Sequence, residues 1–152
     1  MSILNKLKSL DIRLPEAPDP LGSYVPCVRT GNLVFVSGML PLKDGRLIHT
    51  GKVGSDVSIE DAQESCELAT INALSVIRSC IGSLDDIERC IKINGFISSA
   101  EGFFEQPSVL NAASDLLFKI FGDKGKHSRA AVGVFCLPLN SPVEIDFVFE
   151  VK

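Results

Sequence analysis

VEIDFVFEV, Val143 to Val151, alternates without a break. On an extended strand Val143, Ile145, Phe147, Phe149 and Val151 share one face, while Glu144, Asp146, Val148 and Glu150 share the other. The first face has to be covered, and the acidic one cannot be buried unpaired. The chain is thereby committed to a sheet with a packed side and an open side, and the remaining sequence must supply both neighbouring strands and cover.

The cover is legible as helices. Ser58 followed by Asp61 resembles a capping box, after which Ala62, Cys66, Ala69, Ala73, Ile77 and Cys80 recur at steps of three and four until Gly82. A second helix is predicted from Val109 to Phe121, ended by Gly122. Ile3, Leu4, Leu7 and Leu10 predict a short amphipathic helix ahead of LPEAPDPLG, so residues 1–21 read as a helix and proline-rich arm of a single domain spanning 1–152.

The neighbouring strands follow from turn chemistry. VPCVRT and LVFVSG around Gly31-Asn32 predict a hairpin over residues 25–38, and ERCIKINGFIS predicts a strand with Ile91, Ile93 and Ile97 in register. A further strand is expected from Arg129 to Leu137. Residues 42–57 are rich in glycine and polar groups and predict a long surface loop with a short strand at Leu47 to His49. The order suits an α+β domain, with two helices on one face of a mixed sheet.

Composition narrows the function. A chain of 152 residues buries roughly 70% of its unfolded surface and needs no staples. A net charge of -4 and a pI near 5.1 predict no nucleic-acid partner. No signal-peptide pattern or membrane-length apolar run is present, which predicts a cytoplasmic protein. Five cysteines without C-x-x-C spacing are expected to be reduced packing residues. His49 and His127 are too few and too far apart in sequence for a metal site, and His127 is expected on a solvated loop.

HSRAAVGVFCLP, His127 to Pro138, carries the chemistry. Taking Ala130, Val132, Val134 and Cys136 as the core side of this strand places Arg129, Ala131, Gly133, Phe135 and Leu137 on the open side, with Leu33 and Phe35. A face of that kind is too apolar for water and predicts a homo-oligomer, with Arg129 and Glu144 at or near a subunit cleft. Two readings of that pair stand open: a salt bridge across the strands, or a guanidinium fork awaiting a small carboxylate ligand.

SRAAVGVFCLPLNSPVEI, together with Gly22-Ser23-Tyr24, Ser37-Gly38-Met39-Leu40-Pro41 and Asn111, resembles the YjgF/RidA family of reactive-intermediate deaminases, also called L-PSP endoribonucleases. The resemblance implies a chorismate-mutase-like fold and a homotrimer with three intersubunit clefts. It also implies hydrolysis of 2-imino acids, such as 2-iminobutanoate and 2-iminopropanoate, to 2-oxo acids and ammonia, without metal or organic cofactor. Arg129 would hold the substrate carboxylate, Glu144 would position or deprotonate water, and Tyr24, Ser37, Gly38 and Asn111 would line the cleft. Ala131 stands where many deaminases have a cysteine and would contribute through its backbone, and His127 stands where proline or alanine is usual. Those differences and longer loops suggest a divergent branch. A trimer that binds carboxylates without turnover is the alternative; RNA cleavage fits poorly with the acidic balance and single tyrosine.

Overall fold

The Val143–Val151 strand lies at the centre of the computed structural model, which describes all 152 residues. Seven strands form: β1 (Cys27–Thr30), β2 (Leu33–Met39), β3 (Leu42–Lys43), β4 (Arg46–Leu47), β5 (Ile87–Ser98), β6 (Ser128–Val134) and β7 (Val143–Val151). Five of them make one sheet in the order β1-β2-β7-β5-β6. Only the β5 and β6 pair is parallel, so the sheet is mixed, as expected.

Helices α2 (Ile59–Ile81) and α3 (Gln106–Phe121) pack on the face carrying Val143, Ile145, Phe147, Phe149 and Val151, all of which are buried. Phe147 stacks on Phe149, and Phe121 at the end of α3 tilts against Phe149 at 6.5 Å. Helix α1 (Ile3–Ser9) adds the buried Leu7 to the same core. Ser58 caps α2 by accepting from the Asp61 amide, and Gly82 ends the helix with a φ of 90°. Helix α3 begins three residues before the expected Val109, because Pro107 sits comfortably in a first turn.

Several expectations are corrected. The short strand of the 42–57 segment lies at Arg46–Leu47 and pairs with Leu42–Lys43, because Asp44 and Gly45 both take positive φ and close a hairpin between them. Ile91 is not in register with Ile93. Strand β5 places Cys90 opposite Phe149 and Lys92 opposite Val148, so Ile91 is the extra residue of a bulge and Cys90 takes the core position. The cysteines are not all reduced: Cys27 of β1 is bonded to Cys80 at the end of α2, with Cα atoms 6.8 Å apart, while Cys66, Cys90 and Cys136 are free.

Strand β6 is turned over relative to the expectation. Arg129 pairs with Ile93, Ala131 with Gly95 and Gly133 with Ile97, so these three face the helices; Ala130, Val132 and Val134 face the open side. The cause is the close approach of α3. A methyl group on Gly133 would lie 2.9 Å from Gln106 Nε2, and one on Gly95 would lie 2.5 Å from Leu110 Cδ1. Gly133 therefore makes room for α3, not for a ligand, and Ala131 packs against the core.

Candidate active site

The open side gathers a carboxylate around a break in the sheet. Between the pairs Val36 with Phe147 and Met39 with Ile145, strand β2 sets two residues, Ser37 and Gly38, against Asp146 alone. Such a bulge bends the strand and re-aims its side chains. The Ser37 amide donates to Pro26 O at 2.9 Å and its hydroxyl to Val25 O at 2.7 Å, which ties the segment ahead of β1 to the bulge.

Gly38 is required here. A methyl group on it would stand 2.5 Å from Glu144 Oε1, so the Glu144 side chain rests directly on the glycine. Glu144 is half-buried, and that burial raises its pKa above the usual glutamate value, with nearby Asp146 adding to the effect. The arm closes the other side: the Tyr24 hydroxyl accepts from the Leu21 amide at 3.3 Å. Tyr24, Ser37, Gly38 and Glu144 thus line one cavity of about 490 Å³, together with Leu21 and Pro138.

Arg129 lies elsewhere. Its Nη1 donates to Ser114 Oγ of α3 at 3.1 Å, and its Nη2 reaches Pro107 O at 3.4 Å. Both partners are neutral. Ser114 Oγ is also 2.9 Å from His127 Nε2, and His127 Nδ1 is 2.6 Å from Gly125 O. Arg129, Asn111, Ser114 and His127 line a shallower cavity of about 330 Å³ with Phe118. His127 is thus not a solvated loop residue: it is half-buried with both ring nitrogens bonded. Its burial depresses the pKa, the Gly125 carbonyl opposes that shift, and the Arg129 charge reinforces it.

The predicted residues therefore fall into two groups. Tyr24, Ser37, Gly38 and Glu144 come together, Arg129 comes together with Asn111, and the two groups are apart. Strand β5 separates β6 from β7; Arg129 is level with Ile93 on the covered face, whereas Glu144 is level with Phe96 on the open face. A salt bridge between Arg129 and Glu144 across the strands is excluded within one chain. Ser114 was missed in the sequence, although its place three residues after Asn111 puts both on one face of α3. Outside both cavities, His49 Nε2 sits 2.8 Å from Glu64 and 3.8 Å from Asp61 at the start of α2, the one grouping of ligand-type side chains here, already paired among themselves.

Comparison with known proteins fits this arrangement into a lineage. Residues 5–151 match the family described as "YjgF/chorismate_mutase-like, putative endoribonuclease". The chain belongs to the YjgF/RidA family. Protein TCP17 of Trypanosoma cruzi is 37% identical over 147 residues, covering 96% of this chain and 92% of TCP17. A 2-iminobutanoate/2-iminopropanoate deaminase of Dermatophagoides farinae is 28% identical over 141 residues, covering 93% of this chain and 95% of the mite protein. The crystal structure of Atu1372 from Agrobacterium tumefaciens superposes with a TM-score of 0.92 at 43% identity, covering 99% of this chain and 92% of Atu1372. This YjgF/RidA member has the family's chorismate-mutase-like fold, and no helix in it is long and apolar enough to cross a membrane.

Proposed function

We propose that this protein hydrolyses 2-imino acids to 2-oxo acids and ammonia, at a site formed where the Glu144 cavity of one copy meets the Arg129 cavity of the next in a homotrimer. The division of the site supports this reading. A half-buried carboxylate and a guanidinium held only by neutral groups, complementary halves of one site, lie on parts of the chain that face apart. The open sheet face between them exposes Phe35 at 45% and Val132 at 44%, an apolar surface that a neighbouring copy would cover.

In the completed cleft Arg129 takes the substrate carboxylate through two parallel N–H donors, fixing the neighbouring imine carbon. The protonated imine is already electrophilic. As a water oxygen bonds to that carbon, Glu144 accepts the water proton, giving a carbinolamine. Glu144 then returns the proton to the amino nitrogen, the C–N bond breaks, and the hydroxyl proton departs with ammonia as ammonium, leaving the 2-oxo acid. A carboxyl group raised toward neutrality suits both transfers. Tyr24, Ser37, Gly38 and Asn111 line the site, and Ala131 stands two residues after Arg129 on the same face of its strand.

The test is to generate 2-iminobutanoate in situ with a threonine dehydratase and trap the survivors with semicarbazide. Wild type is expected to lower the trapped fraction, and Arg129→Ala and Glu144→Gln to leave it at the uncatalysed level. Binding of 2-oxobutanoate by calorimetry, with no acceleration for any of several imino acids, would replace the enzyme with a carboxylate-binding trimer.

A further inference from the structure

We propose that Ser114 and His127 are positioning residues that hold the Arg129 guanidinium ready for a carboxylate while leaving its charge unspent. The proposal rests on the deaminase reading above. Anchoring an arginine with aspartate or glutamate would fix it equally well, but would neutralise it and occupy its fork. Here the anchors are a hydroxyl and a backbone carbonyl.

The donor and acceptor roles along the chain of bonds have one consistent assignment. Gly125 O can only accept, so His127 Nδ1 carries a proton, and in the neutral ring Nε2 is bare. The Ser114 hydroxyl then donates to Nε2, which turns its lone pairs toward Arg129 Nη1. Gly125 itself cannot drift, because it is buried and any side chain there would strike the α3 backbone at Leu117. The other groups around His127 favour the neutral ring. Arg129 stands two residues after it and Lys126 immediately before it, the latter paired with Asp123, while α3 contributes Asn111, Ser114 and Phe118 to the same cavity.

Removing the Ser114 hydroxyl frees the guanidinium to swing, and removing His127 frees the Ser114 hydroxyl to rotate its hydrogen, in place of a lone pair, toward Arg129. Either change weakens capture of the carboxylate and leaves the chemistry at Glu144 alone, so KM moves and kcat does not. Low pH should do the same in wild type. Protonation gives Nε2 a hydrogen and sets a second cation beside Arg129.

The experiment compares wild type with Ser114→Ala, His127→Ala and Ser114→Thr, measuring 2-iminobutanoate hydrolysis, 2-oxobutanoate affinity by calorimetry, and the melting temperature. Ser114→Ala and His127→Ala are expected to raise KM and the 2-oxobutanoate Kd about tenfold, the effect of one hydrogen bond to a charged group. Their kcat should stay near wild type, and Ser114→Thr should restore binding. Wild-type KM should also climb as pH falls below the usual histidine range, and His127→Ala should lack that climb. Unchanged KM and Kd in both alanine variants, or a fall in kcat alone, would overturn the proposal. If wild type binds 2-oxobutanoate without hydrolysing imines, the deaminase reading fails by itself and the Kd values still decide the positioning role. If wild type binds no 2-oxobutanoate, both fall.

Discussion

In its proposed role Glu144 sets function against stability at a single residue. Its pKa is raised in the folded state, so the native protein holds that proton more tightly than the unfolded chain does. Stability from this group is present below the unfolded glutamate value and lost as pH rises through the raised one. Glu144→Gln removes the loss: thermal melts at neutral pH should give a melting temperature equal to or above wild type, while hydrolysis falls by roughly 100-fold or more. A destabilised Glu144→Gln protein would show the carboxylate to be a structural anchor. That Tyr24, Ser37 and Glu144 meet in one cavity was expected from the runs in which they sit, whereas Arg129 was expected beside Glu144 on the open face and lies on the covered one. Ser114 and His127 were not legible in the sequence. Ser114 reads as one more small helical residue, and the burial of His127 depends on α3 lying across it, a contact that no local pattern encodes.

Among the elements, β7 and α2 were readable because one period accounts for each from end to end. Strand β6 was misread because neither of its faces is watery. The apolar alternation of Ala130, Val132 and Val134 marks the open face, and the small residues opposite mark where α3 settles on the sheet. Small residues facing a helix are read more safely as close approach than as a ligand floor. The bond from Cys27 to Cys80 was missed for a related reason: Cys80 keeps the helical spacing of the core set yet is exposed at the end of α2, where edge strand β1 comes within reach. Closing a loop with a sequence separation of 53 restricts the unfolded chain by about 4 kcal/mol. Dithiothreitol should therefore lower the melting temperature by roughly 10 °C in a domain of this size, and Cys80→Ser should already melt at the reduced temperature and ignore the reductant. Equal melting of oxidised and reduced wild type would show that the bond adds no stability.

For the whole molecule, the separation of Arg129 from Glu144 predicts complementation between defective copies. Arg129→Ala and Glu144→Gln are each expected to be inactive alone. Unfolded together and refolded as a mixture, they should regain about a quarter of wild-type activity, because random assembly pairs an intact arginine with an intact glutamate at that frequency. No recovery from a mixture that assembles normally would place the whole site within one chain. An oligomer was expected from an apolar open face carrying Phe35 with Leu33, Phe135 and Leu137, but the sequence could not say that Arg129 and Glu144 lie on opposite sides of the sheet, since that depends on the parity of one edge strand. The same division predicts a threshold. If the proposed site is shared between copies, a folded protomer in dilute solution would be idle and turnover per chain would climb with expression level until assembly saturates, so the amount made would itself be a switch for the activity.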